Sequence, residues 1–106
     1  MTSPNITSCG SLEDVRANID RIDRALVGCL AERGAYVKQA AGFKKSREDV
    51  RAPQRVEQVV GKAKALAAEL GANAMVVEQV YRAMIAAFID AELAEHAALG
   101  EGHRAS

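Results

Sequence analysis

Apolar residues recur along the first third of the chain at steps of four and three: Val15, Ile19, Ile22, Leu26, Cys29 or Leu30, Val37 and Ala40. That rhythm is the seam of a coiled coil. It follows "SLED", where Ser11 and Asp14 stand three apart as a helix-start signal. No proline interrupts it before Pro53. The pattern predicts one helix from about Ser11 to about Lys45. Gly28, Gly34 and Gly42 each weaken such a helix by up to about 1 kcal/mol against alanine, which points to close packing or ligand approach. "SREDVRA" is polar and reads as a loop. Pro53 suits the first turn of a second helix, which stops at Gly71. Asn73 can cap a third helix carrying Val77, Val80, Tyr81, Met84, Ile85, Phe88 and Ile89, expected to fade near His96 or Ala98. No stretch reads as a strand. The predicted fold class is all-α, with three helices per chain and a very long first helix. Residues 1–10 form a flexible lead, 11–98 the helical domain and 99–106 a flexible tail.

The length of the first helix has a consequence. About 35 residues span roughly 50 Å, whereas a compact chain of this size has a radius of gyration near 13 Å. The helix must overhang its own globule with an apolar stripe exposed. A second copy covering that stripe about a two-fold axis is the simplest remedy, so the chain is expected to form an intertwined homodimer.

Composition narrows the partners. Fourteen basic residues balance 14 acidic ones, so no basic excess points to nucleic acid. No segment approaches the roughly 20 apolar residues of a membrane span. "MTSPNITSCG" has neither the basic start nor the apolar run of a secretory signal. Cys9 and Cys29 are too few for a disulfide framework, show no metal-ligand spacing, and are expected as free thiols in the cytoplasm. His96 and His103 lie near the end of the chain and read as surface residues. No metal or cofactor is expected.

Charge placement on the seam carries the functional signal. Arg33 and Lys44 are eleven residues apart, which at 100° per residue returns to within roughly 20° of one face. Continuing the third helix's stripe from Tyr81, Ile85 and Phe88 reaches Glu92. Two cations and a carboxylate thus fall where apolar residues belong, and charges taken out of water need partners. They either pair with one another and with solvent, or line a pocket for a small anion. In the second case Arg33 forks onto a carboxylate, Lys44 donates to another oxygen, and Glu92 meets a hydroxyl or ether. Arg16 lies about 25 Å from Arg33 along the helix. It reaches such a pocket only from the partner chain of an antiparallel dimer. No Ser/His/Asp pattern or glycine-rich phosphate loop is present, so an enzyme built this way works by positioning and electrostatics.

The stretches "LEDVRANIDRIDRALVGCLAERGAYVKQAAGFKK" and "APQRV", followed by the third helix through "FIDAEL", resemble the all-helical chorismate mutase family and its relatives, the isochorismate pyruvate-lyases. The resemblance covers about residues 10 to 96. It implies that Arg33 and the partner's Arg16 grip the two carboxylates of chorismate. Lys44 then donates to the ether oxygen whose bond breaks, and Arg55 orients the substrate. Glu92 stands where many relatives carry glutamine. An ionised glutamate cannot donate a hydrogen bond, so the role requires the protonated acid. Burial beside Phe88 and Ile89 favours that form and Lys44 opposes it. The implied activity is the cofactor-free rearrangement of chorismate to prephenate in aromatic amino-acid biosynthesis. The alternatives are an isochorismate pyruvate-lyase forming salicylate and a non-catalytic helical module that binds a metabolite or dimerises.

Overall fold

Ser11 opens the first helix: its extended backbone leaves the hydroxyl free to accept from the N–H of Asp14 at 3.1 Å, and α1 follows over Leu12–Ala41. The computed structural model describes the backbone of residues 6–105 and the side chains of 6–98. Three further helices follow: α2, Arg47–Arg51; α3, Pro53–Leu70; and α4, Ala74–Ala105. The architecture is all-helical, with no strand among the described residues. Cys9 and Cys29 are free. Among the described residues no helix is long and apolar enough to cross a membrane.

The helix starts and stops obey local chemistry. Pro53 occupies the first turn of α3, and Gly71 ends it in the left-handed conformation at φ 76°. Asn73 then caps α4, its Oδ1 accepting from Met75 and Val76 N–H at 2.9 and 3.2 Å. Three expectations are corrected. α1 ends at Ala41 rather than near Lys45, because Gly42, Phe43 and Lys44 bond to carbonyls three residues back, the tighter winding in which helices commonly run out. "SREDVRA" is not a loop throughout, since it contains α2. The helical backbone of α4 continues past His96 and Ala98 to Ala105; no proline stands there to end it. His96 is half-buried, while the side chain of His103 and residues 1–5 of the lead lie outside the described residues.

α4 is the spine. Its inward face runs Val77, Tyr81, Met84 with Ile85, Phe88 with Ile89, then Glu92, a 3.6-residue period. Val80, counted on that stripe from the sequence, is exposed. α3 packs on α4 through Val60, Ala63 and Ala67, all buried, and small side chains let the axes approach closely. Outside this contact Arg82 of α4 grips Glu57 of α3 through two bonds of 2.8 and 3.0 Å and Glu78 at 3.0 Å. Lys64 adds a 3.2 Å contact to Glu78. Hydrogen bonding from Arg82 is the main reason both carboxyls are held below the usual carboxylate range.

α1 is divided. From Arg33 onward its inward side chains are half-buried or buried against α4. Before that point nearly all are exposed, and the seam residues Val15, Ile19, Ile22, Leu26 and Leu30 are 39–55% accessible. The molecule measures 61 × 27 × 19 Å with a radius of gyration of 17.8 Å, well above the ~13 Å of a compact chain this size.

Candidate active site

Where α1 meets the body, a cavity of about 320 Å³ opens between α1, α2, α3 and α4. Of the five residues expected to act together, Arg33, Lys44, Arg55 and Glu92 all line it. Arg16 does not; it sits on the exposed part of α1.

Each side chain arrives for a local reason. Arg33 projects from the last buried turns of α1 and lies over the Phe88 ring, 5.0 Å from its centroid. Stacking on an aromatic face orients a guanidinium while leaving its edge free to donate. Gly34 makes room for that ring: a Cβ there would stand 3.2 Å from Phe88. Gly34 thus has a packing reason, whereas a Cβ on Gly28 would meet nothing. Lys44 reaches the cavity from the tight turn after α1, so the eleven-residue helical spacing from Arg33 is not what brings it there. Arg55 stands in the first turn of α3 and donates to Gln58 Oε1 at 2.6 Å.

Glu92 is the one buried charged residue of the described chain. Its side chain is 4% exposed, and Lys44 Nζ lies 2.7 Å from its Oε2. That ammonium is off the line of a directed hydrogen bond, and no described residue aims a donor at Oε2. The carboxyl therefore has a charge partner but unused acceptor capacity. Such a buried pair recovers its desolvation cost poorly, which marks the position as serving something other than stability.

Two polar lining residues go unmarked by the sequence pattern. Tyr36 stands on the wall and Arg51 on the last turn of α2. For Arg51 a signal existed: Ser46 and Asp49 repeat the Ser11–Asp14 spacing, and Ser46 Oγ does accept from Asp49 N–H at 3.2 Å. Read as a second helix start, "SRED" yields α2 and puts Arg51 beside the pocket.

The lining thus holds four cations and one carboxylate over an apolar floor that includes Val37, Val59, Ile85 and Ile89. It contains no Ser, Thr, Cys or His. Among the described residues no group of three or more His, Cys, Asp or Glu could hold a metal ion. The arrangement can bind a small polyanion with an apolar body and stabilise negative charge developing on an oxygen near Lys44.

The sequence signature described as chorismate mutase type II matches residues 15–93. The chain belongs to that family. Its matched span contains α1 from Val15, α2, α3 and α4 as far as Leu93, and so every candidate residue named above. This family member is also similar to an isochorismate pyruvate lyase of Pseudomonas aeruginosa, with 39% identity over 77 residues, which cover 73% of this chain and 76% of that protein.

Proposed function

We propose that the protein is a chorismate mutase, converting chorismate to prephenate by holding the compact substrate and stabilising its breaking ether bond. The observation that carries the reading is Lys44 at 2.7 Å from buried Glu92 in a largely apolar cavity that three arginines also line. Arg33 takes one carboxylate of the dianion as a preoriented fork. Lys44 has further N–H donors and offers one to the ether oxygen, where charge grows in the transition state. Glu92 adds a second donor when it carries a proton, and Arg55 orients the ring from the start of α3. No proton transfer or covalent intermediate is required.

The site is completed by a second copy. The exposed seam of α1 supports an antiparallel homodimer: burying the remaining surface of its five large apolar residues would contribute on the order of 5 kcal/mol. In that dimer the partner's Arg16 reaches the cavity and takes the other carboxylate. A monomeric mass in solution at micromolar concentration would overturn this.

A second reading has its own support in the 39% identity to a protein named isochorismate pyruvate lyase. The same cavity would then expel pyruvate from isochorismate and leave salicylate. Purified protein given each substrate separately distinguishes the two. Prephenate from chorismate is the expected result, and salicylate with pyruvate from isochorismate alone would replace it. Thermal stabilisation by either substrate without turnover would leave only a binding module.

A further inference from the structure

The roles given above use Arg33 and the partner's Arg16 for two carboxylates, Arg55 for orientation and Lys44 for the ether oxygen. One lining cation, Arg51, is left without a task. We propose that Arg51 is a substrate-binding residue, a guanidinium that α2 holds at the roof of the cavity to grip a carboxylate of the bound dianion. The inference rests on reading the cavity as a dicarboxylate site and assigns that site a ligand from the chain's own roof.

Three observations carry it. The first is partnership. Lys44 is paired with Glu92, Arg33 is stacked on Phe88 and Arg55 is bonded to Gln58, whereas Arg51 has no ion-pair partner among the described residues. The second is placement. Arg51 follows Val50, which is 2% exposed and anchors α2 against the body. The third is the joint behind it. Ala52 is left-handed at φ 34°, ψ 64°, a conformation that costs a non-glycine residue about 1–2 kcal/mol, and Pro53 follows with its own φ restricted. A buried anchor on one side and a restricted joint on the other fix where the Arg51 side chain starts. A preoriented fork loses less freedom on binding than a free surface arginine. The exposed guanidinium is solvated in the free chain and gains its counter-charge when an anion enters.

The test measures binding separately from turnover. Titration calorimetry on the full chain would give Kd for chorismate and for isophthalate, a rigid aromatic dicarboxylate that cannot rearrange. The proteins are wild type, Arg51→Gln and Arg51→Lys. Arg51→Gln is expected to weaken both ligands about tenfold, the effect of one charge-assisted contact, with an unchanged thermal midpoint. Arg51→Lys recovers part of the loss, because it restores charge without the fork. KM rises by the same factor while kcat stays within about twofold. Added salt narrows the gap between wild type and Arg51→Gln. Wild-type Kd values in Arg51→Gln would overturn the proposal, as would a wild-type protein that binds neither ligand. Tight chorismate binding without conversion overturns the enzymatic reading alone and leaves Arg51 to be judged by the Kd values.

Discussion

Helix α4 carries two ionic clusters about 15 Å apart along its axis. Near its start Arg82 and Glu78 join Glu57 and Lys64 in an exposed network, with side chains 30–65% accessible. Ten residues later a single pair, Lys44 with Glu92, lies at the cavity with the carboxylate almost wholly buried. The first cluster has more and longer-reaching bonds, yet exposed pairs contribute little each because water and salt screen them. The second has one contact, and desolvation works against it. An exposed network ties α3 to α4. A buried pair that lowers stability relative to an apolar substitute needs another reason to exist, and a ligand supplies one. Burial, rather than the number of ion pairs, distinguishes the cluster with chemistry to do.

The largest expected effect comes from breaking the buried pair. Lys44→Ala should lower kcat by about 10²–10³-fold or more, the scale of losing one preorganised donor to a developing oxyanion, while the mass in solution stays that of wild type. The sharper variant removes both charges. Lys44→Met with Glu92→Leu should be inactive yet at least as stable to urea as wild type, because an apolar pair of similar volume avoids the desolvation cost. The matching change at the exposed cluster, Arg82→Leu with Glu57→Leu, should leave turnover intact. Activity retained in the first double variant would erase the contrast.

Next in size is the dependence on a second chain. Arg16→Ala and Lys44→Ala should each be inactive alone. Unfolded together and refolded as a mixture, they should regain a fraction of wild-type turnover, since in the proposed antiparallel dimer a heterodimer would assemble one site with Lys44 from one chain and Arg16 from the other. No recovery in mixtures whose heterodimers are verified by mass would mean that each chain's cavity works without Arg16 from its partner.

The two ends of α1 explain what was legible in the sequence. The seam from Val15 to Cys29 follows a strict four/three rhythm, and helix existence, capping by Ser11 and Asn73, and the Pro53 and Gly71 boundaries all follow from local rules. Those rules act over a few residues, so one chain displays them. Lys44 lines the cavity, but not by the helical spacing from Arg33. The helical period stops three residues short of it, and the turn that follows delivers the side chain to the same cavity. Gly42 and the 3₁₀ winding after it were the missed cue. Arg51 was hidden because a five-residue helix leaves no period to detect, and only the repeated Ser-x-x-Asp spacing marked it. Arg33 on Phe88, and the space Gly34 leaves for the ring, depend on how α1 crosses α4, which no local pattern encodes.

A smaller effect separates the two members of the buried pair. Glu92→Gln keeps the shape and supplies an N–H donor at every pH. A donor at this position adds a hydrogen bond to the ether oxygen, so the Gln variant should gain kcat by about tenfold or less, the worth of one neutral hydrogen bond. An unchanged or lower kcat in the Gln variant would remove the position as a donor and leave Lys44 acting alone.

The smallest effect is expected at the exposed cluster, and its sign follows from the carboxyls. Arg82 holds Glu57 and Glu78 below their ordinary value of 4.5. Groups whose values are lowered on folding contribute stability that is full above the unfolded value and is lost as pH falls through the folded one. The guanidinium is pushed further from titration by the same bonds, so it stays charged throughout and the carboxyls alone set the window. Arg82→Gln should therefore lower the thermal midpoint by a constant small amount from neutral pH down to about pH 5, and the gap should close in more acidic buffer. High salt should narrow it at neutral pH, with kcat unmoved throughout. A gap that persists in acid and in salt would assign the Arg82 contribution to its apolar stem packed across α3. The contrast between the clusters would then be one of packing against charge rather than of exposed against buried charge.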